Sequence, residues 1–473
     1  VSRKQLAIIG NGMATSRLLD GLLRLQAHRT YEISVFGEEN QGSYNRILLN
    51  QVLLGGDVDE ITFKPRSWYA KQGIRLISGQ KVTRLSAAAH RLWIEDGTEH
   101  YFDKAVFATG SAPRLPIAEG LLNRQGVWKQ GIAAYRTIDD CQKIRKLARP
   151  GGNAVVIGGG LLGIEAAKGL LDLGMNVTIV HLFSHLMNRQ LDPLGATFLR
   201  QSLAKMGIAV ITSVNTKGFE GIDRVEALRL ADGSRLPADL VILASGVKPR
   251  IDLARDSNIP TNAGIHVNDE LQTSIPDIYA VGECAEHRYQ TYGTVQPVYE
   301  QCSVLAEVLA GSQVARYGGS KVYTRLKVVG IDVASMGDIE GRAGEDEVIQ
   351  IIEESKGVYR KLVIREGRLA GAVLVGDTHL AGELVGRFER GDLLPANRLD
   401  LFASADLSPQ AQDPLVCHCR QVTKSTILAA CDEGCRNLNE IGERTGAGTG
   451  CGSCRGPITA MLLNIKKQQP VAL

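Results

Sequence analysis

The segment Gly158-Gly159-Gly160-Leu161-Leu162-Gly163 constrains this 473-residue chain more than any other feature. It follows an apolar run over residues 154–157 and opens a helical pattern that reaches residue 173. That is the setting in which G-x-G-x-x-G turns a strand into a helix. The first glycine makes the turn, the second lets a pyrophosphate approach the backbone, and the third allows close packing. The helix start adds free N–H groups and the positive end of a dipole. A second apolar strand, over residues 176–180, completes a β-α-β unit. The same unit occurs about 150 residues earlier. There a strand over residues 6–10 leads into Gly10-Asn11-Gly12-Met13-Ala14-Thr15, a helical pattern to residue 25 and a buried strand over residues 31–36. Thr15 takes the place of the third glycine. One parallel-sheet dinucleotide unit used twice predicts an α/β fold. The plain alternative for the first motif is a strand–turn–helix without ligand.

The acids expected after the second strand of each unit differ. Glu38 or Glu39 follows residues 31–36, where a carboxylate would bind a ribose hydroxyl. In the later unit the strand runs into His181, which would bond a ribose, stack beside adenine, or lie on the surface as a solvated histidine. No Arg or Lys follows His181 until Arg189, so NADPH is not positively indicated and NADH is expected. Two further strands end in a small residue and glycine, Thr109-Gly110 and Ser245-Gly246, which permits close chain crossing.

A net charge of +3 excludes a polyanion-coating basic protein and an acidic disordered chain. The 52 glycines show no three-residue period, which excludes collagen. The most apolar stretch, residues 154–171, contains Glu165, Lys168 and five glycines, so no spanning helix is expected. Residues 1–5 are short and polar and carry no signal-peptide pattern, and a cytoplasmic location is expected.

Beyond residue 320 the pattern changes to short antiparallel strands, expected over residues 327–333, 348–352, 359–364 and 369–375, with a hairpin turn at Glu366-Gly367. Residues 404–414 are polar, carry two prolines and read as a linker. The unit that follows is too small for a large core. Cys141, Cys284 and Cys302 are scattered, whereas Cys417, Cys419, Cys431, Cys435, Cys451 and Cys454 crowd this last unit. Such crowding reads as metal or cofactor binding before disulfides. Cys431 and Cys435, four apart on an expected helix, read as core or spare thiols or as alternative ligands.

Taken with the segment Thr273-Ser274-Ile275-Pro276-Asp277-Ile278-Tyr279-Ala280-Val281-Gly282-Glu283, the two glycine motifs resemble the two-dinucleotide flavoprotein reductases of glutathione-reductase fold. In that family an acid at the position of Glu283 binds the flavin ribityl and phosphate. No cysteine precedes Cys141, so the dithiol branch is excluded. Ser43-Tyr44-Asn45-Arg46 instead resembles the flavin-lining segment of ferredoxin and rubredoxin reductases, with Asn50 and Gln51 where those relatives often carry a lysine. Residues 321–400 resemble the small C-terminal domain of that branch. Cys417-x-Cys419, 31 intervening residues, then Cys451-x-x-Cys454 matches the bacterioferritin-associated-ferredoxin-like [2Fe-2S] domains. A four-cysteine zinc knuckle is the alternative. The whole order is similar to the electron-transfer subunits of assimilatory nitrate reductases and to the front half of NADH-dependent nitrite reductase large subunits, and residues 187–192 add to that likeness.

The resemblance implies an FAD-binding domain from residues 1–113 and 246–320, an NAD(P)H-binding domain over 114–245, a small α+β reductase domain over 321–403, a linker over 404–414 and a small helical [2Fe-2S] domain over 415–473. It implies an NAD(P)H-dependent FAD oxidoreductase that passes electrons from NADH through FAD and [2Fe-2S] to a molybdenum-containing nitrate reductase catalytic subunit, with no nucleic acid or membrane partner. The cofactor set comprises Gly10, Asn11, Gly12, Met13, Ala14, Thr15, Glu38, Asn45, Arg46, Val82, Thr109, Gly110, Gly246, Gly282 and Glu283 for FAD, and Gly158, Gly160, Gly163, Glu165 and His181 for the nicotinamide dinucleotide. Cys417, Cys419, Cys451 and Cys454 are the expected metal ligands. No side chain is expected to do covalent chemistry; Asn45, Arg46 and Glu165 are the candidates nearest the flavin. The rival readings are a reductase for a small ferredoxin or rubredoxin, an electron donor to nitrite reductase, and, in another class, an iron–sulfur or zinc scaffold or regulatory binding module.

Overall fold

Two five-stranded parallel sheets, alike in four of their strands, organise the first three hundred residues. The structure, a computed structural model, describes residues 3–328, 331–402, 413, 415–417, 420, 422–450, 452 and 454–468. In the first sheet five parallel strands lie in the order Ile278–Ala280, Lys104–Phe107, Lys4–Ile9, Tyr31–Gly37 and Arg75–Ser78. Ile8, Val35, Val106 and Phe107 are fully buried because both faces of the sheet are covered. The helices Met13–Arg24 and Val295–Leu309 pack closely, and a methyl group added at Gly21 would lie 2.6 Å from the Ala306 Cβ.

The second sheet has the order Ile132–Ala134, Leu240–Leu243, Asn153–Ile157, Asn176–Val180 and Ala209–Ile211, again all parallel; its edge strand Ile132–Ala134 comes first in the chain, whereas Ile278–Ala280 comes last in its unit. Each unit also carries a three-stranded antiparallel insertion before its returning strand. In the first this is Val82–Ser86, Arg91–Ile94 and Glu99–Tyr101, and in the second Thr216–Glu220, Ala227–Leu230 and Arg235–Pro237. The second unit is inserted between the Lys104–Phe107 and Ile278–Ala280 strands of the first.

The third body is an antiparallel sheet in the order Tyr323–Val328, Ile331–Gly337, Arg368–Val375, Val358–Arg365 and Glu347–Glu353. Its side chains alternate between two cores, as the period of two requires. Val333, Tyr359, Val373 and Val375 join the core of the second dinucleotide unit. Ala334, Leu362, Ala372 and Leu374 face the helix Ala381–Arg390. Buried Asp192 fastens the two bodies, accepting from the Tyr359 hydroxyl at 2.6 Å and lying 3.3 Å from Lys361 Nζ. The turn at Glu366-Gly367 has positive φ at both residues, as a tight hairpin requires. The continuous strand expected over residues 327–333 is instead the meeting of two paired strands, Tyr323–Val328 and Ile331–Gly337. An apolar run cannot by itself reveal a chain reversal inside it.

The last body has a two-stranded ladder, Leu415–Cys417 with Val422–Thr423, and the helices Lys424–Asp432, Leu438–Thr445 and Arg455–Gln468. Asn437 caps the second of these by accepting from Glu440 N, and Gly446 ends it in the left-handed conformation. Cys435 lies beyond the end of the first helix, so it does not share that helix with Cys431 as the spacing suggested. The expected linker, Asp413 apart, lies outside the described residues, as do Cys419 and Cys451.

Candidate dinucleotide and cluster sites

The two glycine turns have the same construction. Gly10 has φ +113°, and a methyl group there would lie 2.1 Å from Ala108 O; Gly158 has φ +120°, with a methyl 2.1 Å from Ala244 O. The carbonyls belong to the residues just before Thr109-Gly110 and Ser245-Gly246, so these are the close chain crossings that the small residues permit. Around Gly12 and Gly160 the space a methyl would occupy is open to 4 Å. Both residues begin helices, Met13–Arg24 and Leu161–Asp172, whose starts have no side-chain cap. An open cradle over uncapped N–H groups fits a pyrophosphate in each unit.

The first unit's cradle is lined by polar groups already in partnership. Asn11 Oδ1 accepts from the Tyr69 hydroxyl at 2.6 Å. Met13 and Ala14 form the helix start, and Gly282, at φ +86°, would bring a methyl within 3.2 Å of the Ala14 Cβ. Thr109 Oγ1 donates to Arg250 O at 2.8 Å. Val82 is buried at the start of the antiparallel insertion. Glu38 pairs with Arg250 at the surface, whereas Glu39 pairs with Arg46 and accepts from the Tyr44 hydroxyl at 2.6 Å. The two acids that the spacing left undecided therefore have different partners.

Glu283 pairs with Arg136 and accepts from Ser111 Oγ at 2.6 Å. Arg46 Nη1 in turn donates to Arg136 O at 2.8 Å. No motif pointed to Arg136 and Ser111, since only the tertiary fold brings residues 111, 136 and 283 together. The segment around Arg136 leads into a helix, Ile138–Leu147, held by a Thr137–Asp140 capping box. That rigid start aims Arg136 across the first unit.

In the second unit His181 is 7% exposed, and its Nδ1 accepts from Gly159 N at 3.0 Å. Burial holds its pKa below the usual imidazole value. The solvated surface histidine is thus not what the fold contains; the ring braces the glycine turn from below. Glu165, half-buried on the Leu161–Asp172 helix, has its carboxyl pushed up to about 7 by burial. Gly163 is held tightly, with a methyl there only 1.9 Å from Gly158 O.

Cys417 and Cys454 are 1% and 2% exposed and share one apolar core with Val422, Ile427, Ile441, Ala447 and Ile458. Gly448 N donates to Cys454 Sγ at 3.1 Å, the arrangement that stabilises a thiolate bound to iron. Cys454 also sits at the start of the Arg455–Gln468 helix. These two described thiols fit part of a cluster site, with the glycine-rich segment before Cys454 supplying an N–H group. Cys431 is buried in the same core, where burial raises its pKa, and Cys435 is partly exposed.

The segment that ends at Gly450 meets the first dinucleotide unit. Asn45, 2% exposed, donates through Nδ2 to Gly450 O at 2.7 Å and accepts through Oδ1 from Ile47 N. Among the described residues no helix is long and apolar enough to cross a membrane.

Comparison with known proteins agrees with this geometry. Residues 4–303 match the pyridine nucleotide-disulphide oxidoreductases, residues 323–391 the rubredoxin NAD+ reductase C-terminal domain, and residues 415–463 the BFD-like [2Fe-2S] binding domain. The chain is 38% identical to an assimilatory nitrate reductase electron transfer subunit of Bacillus subtilis over 98% of its own length and 60% of that protein. It is also 38% identical to a nitrite reductase [NAD(P)H] of the same organism, over 96% of this chain and 57% of that one. It therefore spans somewhat under two thirds of these curated relatives. The crystal structure of NADH:rubredoxin oxidoreductase from Clostridium acetobutylicum superposes with a TM-score of 0.68 at 27% identity, covering 85% of this chain and 99% of that one. With doubled glycine cradles, a rubredoxin-reductase-like third body and a BFD-like tail in one order, the chain belongs to the pyridine nucleotide-disulphide oxidoreductase family, extended by a BFD-like [2Fe-2S] binding domain.

Proposed function

We propose that this chain oxidises NADH and delivers the electrons, through FAD and a [2Fe-2S] cluster, to a molybdenum-containing assimilatory nitrate reductase catalytic subunit in the cytoplasm. The observation that carries the reading is the buried bond from Asn45 Nδ2 to Gly450 O, which ties the segment beside the flavin cradle to the loop before Cys451. Similarity to the Bacillus subtilis electron transfer subunit supports the choice of acceptor.

When bound, the nicotinamide supplies a hydride, the flavin takes its two electrons, and the cluster accepts electrons singly, so two cluster reductions balance one NADH. The chain's own residues bind and orient. Gly12 and Gly160, open above uncapped helix starts, would receive the two pyrophosphates. Arg46 and Arg136, each paired with a glutamate, would fix the flavin side of the first unit. His181 would keep the second glycine turn in shape through Gly159. Cys417, Cys419, Cys451 and Cys454 would hold the cluster, with Gly448 N–H turned to one sulfur. In this reading residues 1–113 and 246–320 hold FAD, 114–245 hold NADH, and 415–473 hold the cluster.

Residues 415–473 carry seven Lys/Arg against four Asp/Glu, a surplus that a bound cluster's negative charge reduces further. Docking to the acceptor should then depend on apolar contact more than on steering charge. Nitrate-dependent NADH oxidation by mixed subunits, measured from low to high salt, tests this. A modest decline with salt is expected. No turnover at any salt, with both subunits fully loaded, would discard the acceptor. A second reading, delivery to a nitrite-reducing module, is supported by the equal identity to the nitrite reductase; nitrite-dependent oxidation in place of nitrate-dependent oxidation would select it.

A further inference from the structure

Arg420 follows Cys419 in the cluster-binding motif, yet its guanidinium reaches out of its own body. Its Cζ lies 4.7 Å from the centroid of the Tyr299 ring, and its Nη1 lies 3.7 Å from Asp20 Oδ2. The side chain is only 10% exposed. Both partners belong to the first dinucleotide unit, Tyr299 to the Val295–Leu309 helix and Asp20 to the Met13–Arg24 helix. The other Asp20 oxygen is held by Lys64 Nζ at 2.5 Å, and that ammonium in turn lies over the Trp68 ring. The seat is therefore prearranged. A guanidinium over an aromatic face beside a carboxylate is attracted by both, more strongly when shielded from water.

The seat also contains an opposing charge. Arg17 Cζ lies 5.7 Å from the same Tyr299 ring, and burial, with Arg420 as the next cause, lowers its pKa. Two guanidiniums around one ring and one shared carboxylate leave a contact with little surplus attraction. Desolvation offsets much of what a buried ion pair gains. Such a contact holds an orientation without welding the bodies together.

We propose that Arg420 is a positioning residue that latches the cluster-binding body onto the flavin-binding body, with Asp20 and Tyr299 as its seat. Two separate pins then orient the cluster-binding body. Arg420 holds the chain between the Leu415–Cys417 and Val422–Thr423 strands, and the Asn45–Gly450 bond holds the glycine-rich segment before Cys454. Apolar groups also lie at this junction. Val295 packs on the cluster body's core, and a methyl added at Gly452 would lie 3.9 Å from Leu48 Cδ2. The face of the flavin unit next to Asn45 is thus covered by the chain's own tail, so an external acceptor must meet the cluster from the tail's outer side. Arg420 touches neither the glycine cradles nor the Glu39–Arg46 and Arg136–Glu283 pairs, so it can be changed without altering the dinucleotide sites.

This inference rests on the electron-transfer reading above, and the experiment separates the two. Arg420→Met and Asp20→Asn are made in the full chain with both cofactors loaded. Three quantities are read: amide exchange over residues 295–303 and the cluster body, the rate of flavin bleaching by NADH, and the rate at which the reduced-cluster paramagnetic signal appears. The expected result is flavin bleaching unchanged, amide exchange faster in the interface by about tenfold, and cluster reduction slower by about tenfold or more. Arg420→Lys, which keeps the charge, should recover part of both losses. Unchanged exchange and unchanged cluster reduction would overturn the latch. If Arg420→Met fails to retain iron, Asp20→Asn, which leaves the sequence of the cluster-binding body unchanged, decides by the same readouts. If the unsubstituted chain bleaches its flavin with NADH but never reduces its cluster, the electron-transfer reading fails instead, and the exchange data alone judge the latch.

Discussion

Thr15 donates its hydroxyl to the carbonyl of Gly10 at 2.6 Å, in the place where the later unit has Gly163 against Gly158. The two turns solve one packing problem in two ways. In the second unit the helix lies so near the turn that a methyl at position 163 would sit 1.9 Å from Gly158 O. In the first, the threonine side chain fills the gap and satisfies the carbonyl itself.

The two positions should respond differently to substitution. Thr15→Val should lose the buried hydroxyl bond, destabilising the first unit by about 1–3 kcal/mol and lowering FAD content. Gly163→Ala should leave FAD bound and abolish its bleaching by NADH. Flavin content and NADH-driven bleaching of each purified variant check both; an alanine variant with normal bleaching would show that the turn can relax around the added methyl.

Truncation after residue 403 should leave a yellow protein that reduces an artificial two-electron acceptor with NADH. All the flavin-side residues named above precede residue 300. Removing the tail uncovers Leu48, Val295 and Tyr299, so the truncated chain should melt at a lower temperature and associate more readily. A folded but colourless product would refute the assignment of the flavin site.

NADH should be preferred over NADPH. His181 is buried and engaged with Gly159 N, and no basic residue follows it before Arg189. The ratio of kcat/KM for the two nucleotides measures the preference. His181→Ala should raise KM for NADH more than it lowers kcat, because the glycine turn loses its brace while the flavin side is untouched.

Cys431→Ser and Cys435→Ser should retain iron and the reduced cluster's paramagnetic signal, whereas Cys454→Ser should lose both. Cys431 lies in the core and Cys435 beyond the helix end, while Cys454 already receives the Gly448 N–H. Loss of the signal from either of the first two variants with the fold intact would redraw the ligand set.

Stability should carry the signature of Glu165. Its carboxyl titrates at about 7 in the fold against 4.5 unperturbed, because burial disfavours the charged form. Between those values the unfolded chain has lost the proton that the folded chain still binds, so stability falls as pH rises through this window and levels off above it. Glu165→Gln should remove that dependence. Thermal melts from pH 5 to pH 8 should therefore show the variant gaining on the parent as pH rises; parallel curves would mean the carboxyl is better solvated than its position implies.

Much of the fold and the two glycine turns of the candidate site were legible from residue order. Both glycine turns, the hairpin at Glu366-Gly367 and the cysteine spacing follow local rules, in which a few neighbouring residues must take one backbone path. The expected strand over residues 327–333 shows the limit: its apolar run conceals a reversal between two paired strands. Arg136 shows another, since nothing in its neighbourhood marks it as the partner of Glu283, 147 positions away.

By itself, then, the order of residues determined the doubled β-α-β plan, the two cradles and the crowding of thiols, because strand period, glycine turns and ligand spacing are short-range properties. The tertiary structure alone decided which charges meet. It paired Glu38 with Arg250 and Glu39 with Arg46, buried His181 beneath its own glycine turn, and set Arg420 over Tyr299. Ion pairs and buried contacts form between residues far apart in the chain, and their choice depends on how whole bodies pack, which no window of sequence contains.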